Sequence, residues 1–471
     1  MTWRFAFSVL EIAWVIGASC WIILEKRSPT ATLAWIFGLA VLPLIGGLVY
    51  VFIGPRRIER KRIRRLSRIA VVTRDAVPLL SGAPSPEQRR IAQLMRLATH
   101  RQGIPPSTAR SAVLYTTGAA TFAAVIAAIA AARHHVHLEY YIFEPDTTGT
   151  RVRDALIERA RAGVQVRLLL DAIGSFHARG KFLAPLVAAG AEVATFNSAV
   201  VAALPTRRWM NFRTHRKIVV VDGTIGFCGG INIHDEENLE VTGPKAWRDT
   251  HLRIEGDAVH GLQLVFLEDW AFASGSALAS KEYFPDGEGG PHTVQIVASG
   301  PDGDAFAIAK VYFACIATAR ARVLLTTPYF VPDDALLAAL MTAAARGVDV
   351  QLLVSKRSDS RLVDAAGRSY FDELLRSGVK IYQYGPPMVH AKTLVVDDDL
   401  AIVGTANFDN RSLRLNFEVC AVLYDAGLAA ELAAAFTTDL GAAQPVQLLD
   451  VRGRLPGRLF EATARLFSPQ L

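Results

Sequence analysis

Residues 215–222 read His-Arg-Lys-Ile-Val-Val-Val-Asp, and residues 390–397 read His-Ala-Lys-Thr-Leu-Val-Val-Asp. The likeness runs past both stretches: His215, Lys217, Asp222, Gly229 and Asn232 stand at offsets 0, +2, +7, +14 and +17, and so do His390, Lys392, Asp397, Gly404 and Asn407. The four residues after each lysine, Ile218–Val221 and Thr393–Val396, are short apolar runs typical of a buried strand. On a strand, residues two apart face the same way, which would put each histidine beside its lysine. A single copy would read as a hydrogen-bonded core histidine. That explanation does not cover the same five-residue pattern twice.

Outward from the motif the repeat continues. Glu144-Pro145-Asp146 follows an aromatic-rich strand at 138–143, and Val331-Pro332-Asp333 follows a strand at 323–330. A helical stretch comes next in each half, then a second apolar strand, at 164–170 and 348–354. Near-continuous apolar strands alternating with helices predict sheets covered on both faces. The chain therefore reads as two homologous α/β domains. Brought together, the two motifs would supply two imidazoles, two ammonium groups and two side-chain amides around one anionic centre, a phosphodiester site that needs neither metal nor cofactor.

The 471 residues, 51% of them hydrophobic, can bury two such cores and leave a further segment over. That segment is N-terminal. Residues 5–24 carry one charge, Glu11, and residues 31–53 carry none, so each is long enough to span a bilayer. A polar turn, Glu25-Lys26-Arg27-Ser28-Pro29-Thr30, separates them and predicts a two-helix transmembrane hairpin. Cys20 after Gly17-Ala18-Ser19 offers a lipoprotein cleavage alternative. The n-region has only Arg4, and Gly17 is a poor stand-in for the large aliphatic residue of such sites, so the hairpin is preferred.

Residues 56–68 then hold eight Lys or Arg and one Glu, a net +7 that equals the whole chain's +7. By the positive-inside bias this predicts an inner (cytoplasmic) membrane protein with its catalytic domains on the cytoplasmic side. The run can attract anionic headgroups or act only as a topology signal. The rest of the chain sums to zero, which argues against a nuclease, whose domains would carry surplus cations along a polymer. No nucleic-acid partner is expected. Cys20, Cys228, Cys315 and Cys420 show no spacing for a metal or a disulfide framework, as suits reduced thiols.

These residues resemble the phospholipase D superfamily, and their wording is similar to bacterial cardiolipin synthases. The resemblance rests on Asn211-Phe212-Arg213-Thr214-His215-Arg216-Lys217 leading into Gly229-Gly230-Ile231-Asn232, on Trp247-Arg248-Asp249-Thr250-His251-Leu252-Arg253, and on Gly404-Thr405-Ala406-Asn407-Phe408-Asp409-Asn410-Arg411-Ser412. The hairpin is similar too, and the likeness covers essentially the whole chain. Where the superfamily often has Ser after the motif glycine, this chain has Gly230 and Thr405, so the first copy lacks a hydroxyl for phosphate.

The resemblance implies two phospholipase D-like domains related by a pseudo-two-fold axis, phospholipid substrates, and a phosphatidyl-histidine intermediate. One imidazole attacks phosphorus while the other protonates the departing alcohol and later deprotonates the incoming one. His215 is favoured as nucleophile by analogy. The implied catalytic set is His215, Lys217, Asp222, His390, Lys392 and Asp397, with the two aspartates, beyond the apolar strands, read as structural partners rather than proton carriers. Asn232, Asn407 and Thr405 would bind phosphate. Glu418, 28 residues after His390, resembles the family's orienting acid, and Asp249, 34 after His215, is its nearest equivalent in the first half.

Taken together, these readings divide the chain into a hairpin at 1–54, a basic juxtamembrane segment and linker at 55–110, domains at 111–290 and 291–450, and a basic amphipathic tail at 451–471. In the tail Leu459, Phe460, Leu466 and Phe467 share one helical face, suited equally to packing on the second domain and to a membrane interface. His134, His135 and His137 are expected at the surface. The expected activity joins two phosphatidylglycerols into cardiolipin and glycerol. Alternatives are a hydrolase, a synthase using phosphatidylethanolamine as donor, and a silent lipid-binding scaffold; oligomeric state is left open.

Overall fold

The computed structural model describes residues 3–24, 29–53, 85–100, 104–196, 211–287, 289–302, 306–451 and 455–471. The basic run at 56–68 lies outside the described residues. The chain divides into two units, one of Met1–Ile58 with Ser198–Phe212, the other of Glu59–Asn197 with Arg213–Leu471.

In the first unit, helix Trp3–Leu24 is the described segment long and apolar enough by itself to cross a membrane. The second expected span is not one helix. It forms Pro29–Val41 and Pro43–Ile53, joined at Leu42. Proline has no N–H to give and its ring crowds the preceding turn, so Pro43 bends the helix. The backbone bonds on either side persist, from Leu42 N to Gly38 O at 3.0 Å and from Gly46 N to Leu42 O at 2.6 Å. The bend brings Gly46 so close to Gly38 that a Cβ there would lie 2.8 Å from its carbonyl oxygen. Trp14 of the first helix donates from Nε1 to Pro43 O at 3.3 Å.

The second unit holds two large sheets and a small parallel pair, Phe330–Val331 with Phe408–Asp409. In the first half the strands are β1 Ser111–Tyr115, β2 His135–Tyr140, β3 Gln165–Asp171, β4 Glu192–Phe196, β5 Ile218–Val221, β6 Ile225–Gly229 and β7 His251–Glu255, in the order β1-β7-β6-β5-β2-β3-β4. In the second they are β8 His292–Ser299, β9 Arg322–Thr327, β10 Asp349–Ser355, β11 Lys380–Tyr384, β12 Thr393–Val396, β13 Leu400–Gly404 and β14 Glu418–Leu423, in the matching order β8-β14-β13-β12-β9-β10-β11. The β2-β3-β4 and β9-β10-β11 pairings are parallel, and the histidine strands β5 and β12 run antiparallel to β2 and β9. Asp146 and Asp333, the last residues of the repeated triplets, cap the crossover helices through Gly149 N at 2.8 Å and Leu336 N at 2.9 Å.

The expected linker is partly structured. Its residues Ser107–Ala109 add an edge strand to β8 of the second sheet. Its helix Pro86–Thr99 starts with a full capping box at Ser85 and sends Leu94 and Ala98 into the second-half core. One apolar cluster belongs mainly to each half. A third joins Ile218, Val220, Leu252 and Leu262 to Val395, Val403, Val419 and Leu432, so the two halves share a core. At about 25 cal/mol per Å² of apolar surface removed from water, such a seam resists separation.

The motif aspartates explain how each histidine strand is held. Asp222 and Asp397 sit in the left-handed region, at φ 53° and 55°, where a short polar side chain is tolerated. Asp222 accepts from the backbone N–H of Arg133, His134 and His135 at 2.8–2.9 Å, and Asp397 from those of Arg320, Ala321 and Arg322 at 2.8–3.2 Å. Each carboxylate thus ties the far end of a histidine strand to the start of its antiparallel neighbour.

Candidate active site

Both histidines lie just before their strands rather than on them, and a segment from the opposite half holds each in place. His215 N donates to Phe417 O at 2.9 Å, and Phe417 N donates to Arg213 O at 2.9 Å. Likewise His390 N donates to Arg248 O at 2.6 Å, and Arg248 N to Met388 O at 2.9 Å. Phe417 precedes Glu418, and Arg248 precedes Asp249. The carboxylates are therefore exchanged between halves, a correction to the pairing expected from sequence offsets. His215 Nδ1 lies 3.0 Å from Glu418, and His390 Nδ1 lies 2.7 Å from Asp249. With Nδ1 so engaged, each ring keeps Nε2 for phosphorus or a proton.

All of this is dry. His215 is 8% exposed, His390 4%, Lys392 1%, and Lys217, Asp249 and Glu418 0%. Lys217 Nζ donates to His215 O at 2.8 Å and Lys392 Nζ to His390 O, which fixes each ammonium beside its own histidine. Burial pushes His215 down to about 4 and Lys217 down to about 7, and lowers His390 and Lys392; the neighbouring lysines reinforce this at His215, Lys217 and His390, whereas at Lys392 the surrounding carboxylates oppose it. Burial alone would raise the two acids. Instead Lys392 and His390 hold Asp249 low, and His215 and Lys217 hold Glu418 low. A buried cluster with two lysines whose charge burial disfavours is a ready receptor for a phosphodiester anion, which would favour their charged form.

Thr405 does not present its hydroxyl to a phosphate. It donates to Glu418 Oε2 at 2.5 Å and so props the carboxylate behind His215. In the first half the matching space belongs to Asp249 itself, since a Cβ on Gly230 would lie 2.2 Å from its Oδ1. Asp249 accepts there from Thr250 N at 2.6 Å. Gly230→Ala should therefore push Asp249 off His390 and cut turnover about tenfold or more while the protein still folds. Assay of initial rate beside thermal unfolding checks it; an unchanged rate would show that the carboxylate has room to move.

Asn232 is anchored, its Nδ2 donating to Glu237 Oε1 at 3.2 Å and its Oδ1 accepting from Ile142 N at 3.4 Å. Asn407 Oδ1 is buried with no partner among the described residues. Sequence reasoning missed several groups around the centre. Tyr141 stands edge-on to His215 at 5.0 Å, and Trp247 lies 5.2 Å from His390. Asp171 accepts from Arg213 Nε and Thr214 N, steadying the loop into His215. Glu237 was also missed, although it stands five residues after Asn232. Glu237, Asp249 and His390 bring ligand atoms within 4.8 Å of one another. Asp249 is already paired with His390 and has Lys392 Nζ at 3.8 Å, so its charge is compensated without a cation.

The expectation of surface histidines fails for two of three. His135 and His137 are 0% exposed on a central strand, where Gln263 of helix Val259–Ser274 bonds both rings at 2.9–3.2 Å. The tail forms helix Leu455–Arg465 and packs on the second half. Ser468 meets Tyr370 at 2.9 Å, Glu461 meets Arg368 at 2.9 Å, and Leu471 O accepts from Arg411 N at 2.7 Å. Its other side leaves Leu455, Leu459, Phe460, Leu466 and Phe467 exposed.

Comparison with known proteins agrees with this architecture. The family described as "Cardiolipin synthase, PLD-like domain" matches residues 125–242 and 312–440, and "Phospholipase_D-nuclease N-terminal" matches 12–55. A cardiolipin synthase of Geobacillus thermodenitrificans (strain NG80-2) is 40% identical over 99% of this chain and 94% of its own. Cardiolipin synthase 2 of Bacillus anthracis is 41% identical over 98% of this chain and 90% of its own. The crystal structure of phosphatidylserine synthase from Haemophilus influenzae Rd KW20 is 13% identical. It covers 80% of this chain and 100% of that one with a TM-score of 0.62, a likeness of fold. With the repeated motif, the matching sheets and relatives along nearly its whole length, the chain belongs to the cardiolipin synthase family of phospholipase D-like proteins.

Proposed function

We propose that the chain is a membrane-anchored phosphatidyltransferase that joins two phosphatidylglycerol molecules into cardiolipin and releases glycerol. The observation that carries this reading is the pair of intact His-Lys-Asn sets, each histidine backed by a buried carboxylate, in a chain of this family. His215 attacks phosphorus to give a phosphatidyl-histidine; His390 gives its proton to glycerol and then takes one from the acceptor's hydroxyl. Lys217, Lys392, Asn232 and Asn407 stabilise the charge on the non-bridging oxygens from fixed, buried positions.

Incubating purified enzyme with labelled phosphatidylglycerol and identifying the products tests the reading. Cardiolipin with an equal amount of glycerol supports it. Phosphatidic acid as the sole lipid product would make the protein a hydrolase, and labelled cardiolipin formed only when phosphatidylethanolamine is added would change the donor.

We place both N-terminal segments across the membrane, with the catalytic unit on the cytoplasmic side because of the basic run at 56–68. The tail's exposed leucines and phenylalanines suit the interfacial zone while its buried side holds the second half. Deleting residues 1–53 should release the catalytic unit from integral attachment and leave it folded, because the described residues of that unit build three apolar clusters of their own. Membrane association of the truncated protein that resists carbonate, and persists when the tail is also removed, would count against this.

A further inference from the structure

The two histidines do not face equal surroundings, and Glu237 is the reason. It closes the short helix Asp235–Glu237 after Asn232 and is 1% exposed. Its Oε1 accepts from Asn232 N at 3.1 Å, Asn232 Nδ2 at 3.2 Å and His234 Nε2 at 3.1 Å, and lies 3.6 Å from His390 Nδ1. Its Oε2 is buried with no partner among the described residues. The backbone beneath it is fixed, since a Cβ on Gly118 would lie 1.8 Å from Glu237 O. The corresponding position in the second half, five residues after Asn407, is Ser412, which has no charge.

The chief charged neighbours of His390 are Asp249, Glu237 and Lys392, two negative and one positive. Those of His215 are Glu418, Lys217 and Lys392, one negative and two positive. The rings against them, Trp247 and Tyr329 at His390 and Tyr141 at His215, carry no charge. A proton shared between the imidazoles therefore favours His390, because opposite charge within about 4–6 Å supports the protonated form and like charge opposes it.

We propose that Glu237 is a positioning residue that makes the pair unequal: its carboxylate adds a second negative charge behind His390, so that His390 holds the proton the leaving alcohol needs, and it fixes the Asn232 amide alongside. The inference rests on the phosphatidyl-transfer reading above. In the first step the Nε2 lone pair of His215 forms a P–N bond as the P–O bond to glycerol breaks, and the departing oxygen takes the proton from His390 Nε2. In the second, the acceptor hydroxyl gives its proton to His390 Nε2 as its oxygen bonds phosphorus, and the P–N bond breaks with its electrons returning to His215. The proton count closes.

The test uses the full-length enzyme, with labelled phosphatidylglycerol in mixed micelles, as parent, Glu237→Gln and Glu237→Asp. Glutamine keeps an acceptor for Asn232 and removes the charge. Its kcat should fall about 10- to 100-fold with KM within about threefold. The falling limb of its kcat/KM against pH should move about one unit lower, because His390 gives up its proton more readily, while the rising limb set by His215 stays. Aspartate should return the falling limb toward the parent. Rapid acid quench should find the label on His215 in the parent. Superimposable profiles for parent and Glu237→Gln, or limbs that move together, would overturn the proposal, as would parent label on His390. Should the parent release phosphatidic acid instead of cardiolipin, the transfer reading fails while the same limb, now of hydrolysis, still decides the role of Glu237.

Discussion

Replacing either histidine by alanine is expected to leave almost no turnover, a loss of about 10⁴-fold or more for His215→Ala and for His390→Ala, with the double variant within about tenfold of either. The non-additivity follows from the site. Each half-reaction needs one imidazole bonded to phosphorus and the other handling the proton, so the second loss finds little left to remove. Both rings are buried and hydrogen-bonded, yet alanine leaves the strands behind them intact, so thermal unfolding should change far less than rate. Release of labelled glycerol measures the effect. A double variant slower by the product of the two single losses would show that the histidines act independently.

The second large effect concerns the exchanged acids. Glu418→Gln and Asp249→Asn should each slow turnover by about 10²- to 10⁴-fold, because an amide can hold the wrong imidazole tautomer and cannot stabilise the imidazolium. Their signatures should differ. Glu418 backs His215 and Asp249 backs His390. Glutamine at 418 should therefore depress the amount of phosphatidyl-enzyme trapped by acid quench. Asparagine at 249 should mainly slow steps that move a proton, and a substrate whose leaving group is already a weak base should recover much of the lost rate. The opposite assignment of these signatures would mean that each acid serves its own half in solution.

How much of this was legible in the sequence depends on how local each feature is. The motif's equal offsets predicted both histidine strands, and the Pro-Asp triplets marked the helix starts, because strand alternation and helix capping act over a few residues. The bend at Pro43 was legible too, as a proline within an apolar run, but hydropathy alone treated residues 31–53 as one helix. The acids were found and their partners were not. Those bonds join residues 203 and 141 positions apart, and no pattern in either half reports which histidine a carboxylate will meet. His135 and His137 misled because the strand was read as starting at residue 138, which left them on irregular chain before it, and because Gln263, which satisfies both rings, is 128 and 126 residues away. Glu237 stood in plain view beside Asn232, marked only by the absence of a matching acid beside Asn407.

The exchange of carboxylates makes each half an incomplete enzyme. A lone half, folded perfectly, would hold a histidine with nothing behind its Nδ1 and an acid aimed at empty space, and only by meeting a second copy could it acquire one working centre. Any single-domain ancestor of this architecture must have been an obligate dimer, with every residue at the site bound to serve both roles at once. Joining the copies in one polypeptide lifted that constraint. Aspartate could then back one histidine and glutamate the other, glycine could stand opposite threonine, and an unmatched acid could settle on one side of the axis. Covalent linkage, in such a chain, is what permits the two sides of a symmetric site to specialise.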